Sequence, residues 1–332
     1  MMRHGQFTGV AIASLVTVLL GFATPAAAEW YSRAIDLMGT RVSVELWQED
    51  QAEAEALIER VLAEYRRIDR NMSTYRADSE ITMLNTEAAA HAVRISDELY
   101  TLIVASLDLS RASGGAFDIS YESIGYLYDF RAHQRPDSAA IEAALEQVDY
   151  RKILIDEAEH SVRFAMAGMR INLGGIAKGH AVEQGARILR AAGVQHALLN
   201  AGGDTRVIGD RRGSPWIVGI RHPRLDDAFA TRLPLIDEAI STSGDYERFF
   251  EEDGRRYHHI LNPATGEPTE TTLSASVIGP DATLTDGLST TVFVLGAEAG
   301  IALIEKYPGY EAIVVEPSGQ LRYSSGLVTP GE

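Results

Sequence analysis

A chain that mixes α and β structure, in one large domain or two intimately packed ones, is predicted by three observations. Of its 332 residues, 45% are hydrophobic, enough to bury a large core. Apolar residues alternate with polar ones in some stretches, as strands require, and recur at helical spacing in others. Two apolar strand-like runs end in glycine pairs, Gly174-Gly175 and Gly202-Gly203, with a helical stretch between them.

In chain order, residues 5–28 carry no Asp, Glu, Lys or Arg, and an apolar run from about Val10 to Ala23 follows Arg3. With the small residues Ala26-Ala27-Ala28 ahead of Glu29, residues 1–28 read as a secretory signal peptide, whose apolar core is too short to span a membrane. The expected mature region is 29–332, exported and periplasmic. From Trp30 to Trp47 the alternation, with Val42, Val44 and Leu46 on one face, predicts a hairpin whose turn holds Gly39. Asp50-Gln51-Ala52-Glu53 is a capping box, and Leu57/Ile58, Val61/Leu62, Tyr65 and Ile68 follow at helical spacing. A polar loop from Met72 then runs into a short helix ending near Leu84-Asn85; within it Tyr75 either stacks on a ligand ring or covers core, and local context favours core.

Ser96 caps a helix over Asp97–Ala112, closed by Gly114-Gly115. In the exit segment Ala116-Phe117-Asp118-Ile119-Ser120, Asp118 caps the next element or binds a ligand. A helix is expected over Ser138–Val148, hairpin strands over Lys152–Asp156 and Ser161–Phe164, and a strand over Arg170–Leu173 leading into the first glycine pair. The helix beyond runs to Ala192, and the strand Ala197–Asn200 leads to the second pair. Further strands are expected at Trp216–Ile220, at Ala239 leading to a hydroxyl-rich turn, at Arg255 ahead of the Asn262–Gly266 turn, and at Ala275–Ile278. Thr285–Thr291 opens a helix; a helix over Glu298–Lys306, a strand over Ala312–Val315 and a hairpin with Leu321–Tyr323 close the chain.

The charge pattern narrows the chemistry. Net charge is −17, and loss of residues 1–28, whose one charged side chain is Arg3, makes it −18. Nucleic acid is an improbable partner for such a surface. Without cysteine there is no disulfide, thiolate nucleophile, thiolate zinc site or lipidated N-terminal cysteine. Glycines ahead of a helix let N–H groups approach an anion, and Lys178 adds a movable charge, although a tight strand-to-helix turn explains the glycines equally well. An acidic protein that handles phosphate needs local positive charge, and a divalent metal is the economical source. Asp286 and Thr290, four apart on one helix face, suit a shared hard cation, or else an Asp near a helix start and a Thr bonded back to the preceding turn. Adjacent His258 and His259 point to opposite faces of a strand.

The ordered series is more specific than any member of it. Met38-Gly39-Thr40, Ser73-Thr74-Tyr75 through Ser79-Glu80 to Asn85, Gly115-Ala116-Phe117-Asp118, Leu173-Gly174-Gly175-Ile176-Ala177-Lys178-Gly179 and Asn200-Ala201-Gly202-Gly203-Asp204 form its first half. Thr242-Ser243-Gly244-Asp245-Tyr246, His258-His259-Ile260-Leu261-Asn262-Pro263-Ala264-Thr265-Gly266 and Asp286-Gly287-Leu288-Ser289-Thr290 complete it. Across essentially the whole mature chain the series resembles the ApbE family of FAD:protein FMN transferases. The resemblance implies an α+β fold of mixed β-sheets flanked by helices, with FAD in a central cleft. It also implies an Mg²⁺-dependent transfer of FMN from FAD to a Thr or Ser hydroxyl of an acceptor protein, with release of AMP. By position, Met38, Tyr75, Ala116, Phe117, Asp118, Asn172, Lys178 and Ile260 would bind FAD. Gly175, through its carbonyl, Asp286 and Thr290 would hold the metal, and His259 would act as catalytic base.

Exported flavin-bearing subunits of electron-transfer complexes, including those of nitrous-oxide reductase maturation, are the acceptor class so implied. FAD hydrolysis to FMN and AMP, or non-catalytic FAD carriage, are the alternatives. Three positions depart from the family pattern: Asn172 stands where many members have Asp, Tyr121–Gly125 replaces a Pro-containing stretch, and Gly287 replaces a commoner Ala.

Overall fold

The computed structural model describes residues 28–327, so all but Ala28 of the expected signal peptide, residues 1–28, lies outside the described residues. Strands β1 (Glu29–Leu37) and β2 (Thr40–Gln48) pair as the expected hairpin. Its two turn residues, Met38 and Gly39, both have positive φ, 55° and 71°, the handedness that matches strand twist. Helix α1 (Gln51–Met72) starts where Asp50 accepts the Glu53 N–H, and its apolar stripe, including Leu57, Val61, Tyr65 and Ile68, is buried. Each such Leu, Ile or Val contributes about 1.5–3 kcal/mol by leaving water.

There follow α2 (Glu80–Glu87), β3 (Val93–Arg94), α3 (Asp97–Ala112), α4 (Glu122–Gly125), α5 (Ser138–Leu145), β4 (Ile153–Asp156) and β5 (Ser161–Phe164). The second half holds α6 (Ala177–Ala191), β6 (Ala197–Ala201), β7 (Asp204–Ile208), β8 (Trp216–Arg221), β9 (Phe229–Leu235) and β10 (Ala239–Gly244). It continues with β11 (Phe249–Glu252), β12 (Arg255–His258), β13 (Ser274–Gly279), α7 (Ala282–Leu295), α8 (Ala297–Ile304), β14 (Glu311–Val315) and β15 (Leu321–Tyr323).

The α+β class is borne out. Eight strands form one sheet in the order β1-β2-β6-β7-β10-β13-β14-β15, and each neighbouring pair is antiparallel. Alternate side chains divide between two layers, as the pleat requires. Val44, Leu199, Ala239, Val277 and Val314 face the core that contains α1, α6 and α7, while Val207, Ile240, Ile278 and Ile313 face Trp216, Ile220 and Leu235 of the β8–β9 hairpin. The middle strands are therefore covered on both sides. A separate small core joins Ile124 and Ile141 to Phe250 and Tyr257 of the β11–β12 hairpin.

Arg170–Leu173 departs from expectation, because it forms no strand. Its backbone groups are satisfied by loops: Arg170 N–H donates to Ser123 Oγ (3.0 Å), Ile171 N–H to Asn85 Oδ1 (2.7 Å) and Asn172 N–H to the Ile119 carbonyl (2.9 Å). Asn85 Nδ2 returns a bond to the Ile171 carbonyl (2.9 Å). An apolar run with partners of this kind has no need of a ladder. The hydroxyl-rich segment after Ala239 is strand β10 itself, not a turn, and α7 starts three residues before Thr285 under an Asp281 cap, which puts Asp286 in its second turn. The helix expected over Ser138–Val148 stops at Leu145.

Candidate active site

Where the N-terminus of α6 meets β7 and α7, two buried carboxylates meet a half-buried lysine. Lys178 Nζ lies 3.0 Å from Asp204 Oδ2 and 3.7 Å from Asp286 Oδ1, and Asp204 and Asp286 are 1% and 2% exposed. Their close approach depends on glycine: a Cβ on Gly179 would collide with the Ala282 carbonyl oxygen and press on Asp286 Cβ. Instead Gly179 N–H donates to Asp286 Oδ2 (2.8 Å). With both carboxyls ionised, two carboxylates and one ammonium leave the cluster one charge negative. Burial, first, and the neighbouring Asp204 charge push the Asp286 carboxyl well above the usual carboxylate range, against the pull of Lys178.

This arrangement fits a hard cation. Gly179 N–H, spaced to close a helical bond on the Gly175 carbonyl, is taken by Asp286, which leaves that carbonyl for other use. Thr290 stands one turn beyond Asp286, and its Oγ1 would be 3.1 Å from a Cβ at Gly175. Hydroxyl pairs between β10 and α7 hold it there: Ser241 with Thr285 (2.8 Å), Ser243 with Ser289 (2.9 Å) and Ser243 with Thr290 (3.2 Å). Among the described residues no group of three or more His, Cys, Asp or Glu side chains forms a metal cluster, so a cation here would take neutral oxygens beside one carboxylate.

The two histidines separate as a strand predicts. His258 is buried and fully engaged, Nε2 with the Thr269 carbonyl (2.8 Å) and Nδ1 with the Ile260 N–H (3.3 Å). His259 Nδ1, by contrast, is buried with no hydrogen-bond partner. Desolvation, helped by Arg248, His258 and Lys178, pushes the His259 imidazole down to about 3, so it is neutral at ordinary pH.

The remaining expected positions divide. Tyr75 is not core, since it is 79% exposed, with its hydroxyl accepting from Arg248 Nη1 (3.1 Å). Met38 occupies the β1–β2 turn, and a Cβ on its neighbour Gly39 would lie 3.4 Å from Arg248 Nη2. Phe117 is buried, with its ring 3.3 Å from where a Gly175 Cβ would stand. Asp118 is a buried cap, accepting from Ser120 N–H (2.8 Å), Ser120 Oγ (2.6 Å) and Tyr150 N–H (2.8 Å). Ala116, two residues before it, is half-buried, and Ile260 is buried beside His259.

Asn172 Oδ1 accepts from Gly174 N–H (2.7 Å), while its Nδ2 donates to Glu122 Oε2 (2.9 Å) and Thr74 Oγ1 (3.3 Å). Its amide thus accommodates a carboxylate that an Asp would repel. Burial pushes the Glu122 carboxyl up to about 7, and Asn172 and Arg170 partly oppose this. Gly287 also has a packing reason, because a Cβ there would strike Leu109 Cδ1 of α3. Residue-by-residue reading missed Asp204 as the partner of Lys178 and Asn85 as the clamp on Ile171, although both lie inside the motifs quoted above. The available signal was a carboxylate directly after a glycine pair.

The profile described as the ApbE family matches residues 38–314. A protein of Treponema pallidum named FAD:protein FMN transferase is 35% identical, over 90% of this chain and 88% of its own. One from Klebsiella pneumoniae with the same name is 33% identical, over 89% and 92%. The crystal structure of the ApbE protein from Thermotoga maritima superposes with a TM-score of 0.82 at 31% identity, covering 90% of this chain and 98% of that one. The apo form of the Pseudomonas stutzeri flavinyl transferase ApbE gives 0.79 at 32% identity, covering 90% and 95%. With its sequence matched over most of its length and its fold shared, the chain belongs to the ApbE family.

Proposed function

We propose that this protein is an Mg²⁺-dependent FAD:protein FMN transferase. It takes FMN from FAD, joins it to a Thr or Ser hydroxyl of an exported acceptor protein, and releases AMP. The observation that carries this reading is the juxtaposition of the acidic Lys178–Asp204–Asp286 cluster, its two carboxylates buried, with the free Gly175 carbonyl and the Thr290 hydroxyl. The names of the relatives support it.

In the reaction, the acceptor hydroxyl oxygen forms a bond to the FMN phosphorus, the pyrophosphate P–O bond breaks, and AMP leaves with the electron pair. His259, kept neutral by burial, receives the hydroxyl proton on an unengaged ring nitrogen. Lys178, oriented by two carboxylates and by the Gly174 carbonyl (3.4 Å), directs its charge at the phosphates. Mg²⁺, held by Gly175, Asp286 and Thr290, would neutralise pyrophosphate charge when bound. FAD would lie across the cleft with its ring on exposed Tyr75, contacted also by Met38, the Ala116–Asp118 segment, Asn172 and Ile260. The acceptor would be an electron-transfer subunit outside the cytoplasm, reached after residues 1–28 are cleaved. No described helix is long and apolar enough to cross a membrane.

The test is incubation with FAD, Mg²⁺ and an acceptor domain carrying a flavinylation threonine. The expected result is a fluorescent acceptor band on a denaturing gel with stoichiometric AMP, both lost with EDTA. AMP and free FMN without a band would identify a hydrolase. Undiminished FAD with no AMP would identify a carrier.

A further inference from the structure

Three segments meet beside the candidate site: the Met38-Gly39 turn, the Thr74-Tyr75 loop, and the turn that ends at Arg248 ahead of β11. Arg248 ties them together. Its Nη1 donates to the Tyr75 hydroxyl (3.1 Å), its Nη2 lies against Gly39, and its carbonyl accepts the His259 N–H (3.1 Å). It thus leaves the hairpin directly across from His259, extending the Phe249–His258 register by one pair.

The charge of this guanidinium has no counterpart. Among the described residues Arg248 forms no ion pair, although the protein as a whole is strongly acidic and three acidic residues stand within three positions of it, of which Glu251 pairs with Arg256 (2.9 Å). Glu247 turns to Arg221 (3.4 Å), and Asp245 is held by Arg224 (2.8 and 2.5 Å) and Arg256 (3.6 Å). Of the two permanent cations whose charge reaches His259, Lys178 is already matched by two carboxylates and Arg248 by none. A dinucleotide pyrophosphate brings two negative charges to this place. Lys178, inside a net-negative cluster, does not neutralise them alone.

We propose that Arg248 is a phosphate-binding residue, whose guanidinium takes non-bridging oxygens of the FAD pyrophosphate beside His259. The inference rests on the reading of the site as an FAD site. The guanidinium fork matches a phosphate in two parallel hydrogen bonds, which an ammonium cannot reproduce. The Tyr75 bond fixes where the fork points while the ring face of Tyr75 stays open.

The test is titration of the purified protein with FAD at fixed Mg²⁺ and several NaCl concentrations, followed by flavin fluorescence, for wild type, Arg248→Gln and Arg248→Lys. Arg248→Gln is expected to raise the Kd at least tenfold at low salt and to flatten its salt dependence, because one screened charge contact is gone. Arg248→Lys should recover the salt dependence but only part of the affinity. A Kd for Arg248→Gln within twofold of wild type overturns the proposal. So does a raised Kd with the salt dependence unchanged, which would mean that Arg248 only orders Tyr75. A wild type that binds no FAD refutes the functional reading itself, a result distinguishable from a wild type that binds and a variant that matches it.

Discussion

At the scale of single residues, two adjacent histidines show how position decides chemistry. Both side chains are imidazole, yet His258 spends both nitrogens on backbone partners while His259 leaves Nδ1 unengaged. His259→Ala is therefore expected to lower FMN transfer by ~10²–10⁴-fold, the usual worth of a general base, with FAD affinity within a few-fold of wild type. Because the pKa is lowered to about 3, the base form persists as pH falls and is lost only near that value. A plot of transfer rate against pH should accordingly show no acid break near 6.5 that disappears in His259→Ala. Finding such a break would place a normal, solvated imidazole at this position.

Between elements, the α6–α7 contact sets the geometry of the charge cluster. Gly179 lets the two helices approach until its N–H reaches Asp286, and no residue with a Cβ fits against the Ala282 carbonyl. Because that neighbour is backbone and not a flexible side chain, Gly179→Ala should cost about 3 kcal/mol of stability, at the upper end for overpacking. It should also raise the Mg²⁺ concentration needed for half-maximal transfer, as Asp286 is pushed from its place. Denaturant titration and a metal titration of activity test the two parts separately. Helix α6 itself was legible from its glycine start and helical periodicity. The supposed strand before it was not, because an apolar run says that a segment is buried without saying what satisfies its backbone. Here Asn85, far away in sequence, does so.

Across the whole molecule, burying two carboxylates with one lysine stores unfavourable charge in the native state, which a bound cation relieves. Mg²⁺ at ten times its Kd should add about 1.4 kcal/mol to stability, or roughly 2–4 °C in Tm for a protein of this size. Asp286→Asn should abolish this gain. Thermal melts with and without Mg²⁺ measure it, and an unchanged Tm in the wild type would remove the argument for a cation here.

The sequence alone determined the α+β class, most element positions, and the ordered motifs that carry the family resemblance. The element positions follow from periodicity, caps and glycine turns, which are local, whereas the α+β class is what the family resemblance implies. Only the tertiary structure decided that Asp204 closes on Lys178, that Tyr75 is exposed, that Asp118 is a buried cap, and that Arg248 bonds the Tyr75 hydroxyl with no carboxylate partner among the described residues. Each of these depends on which distant segments meet, and side-chain charge and burial are set by those neighbours rather than by residue type.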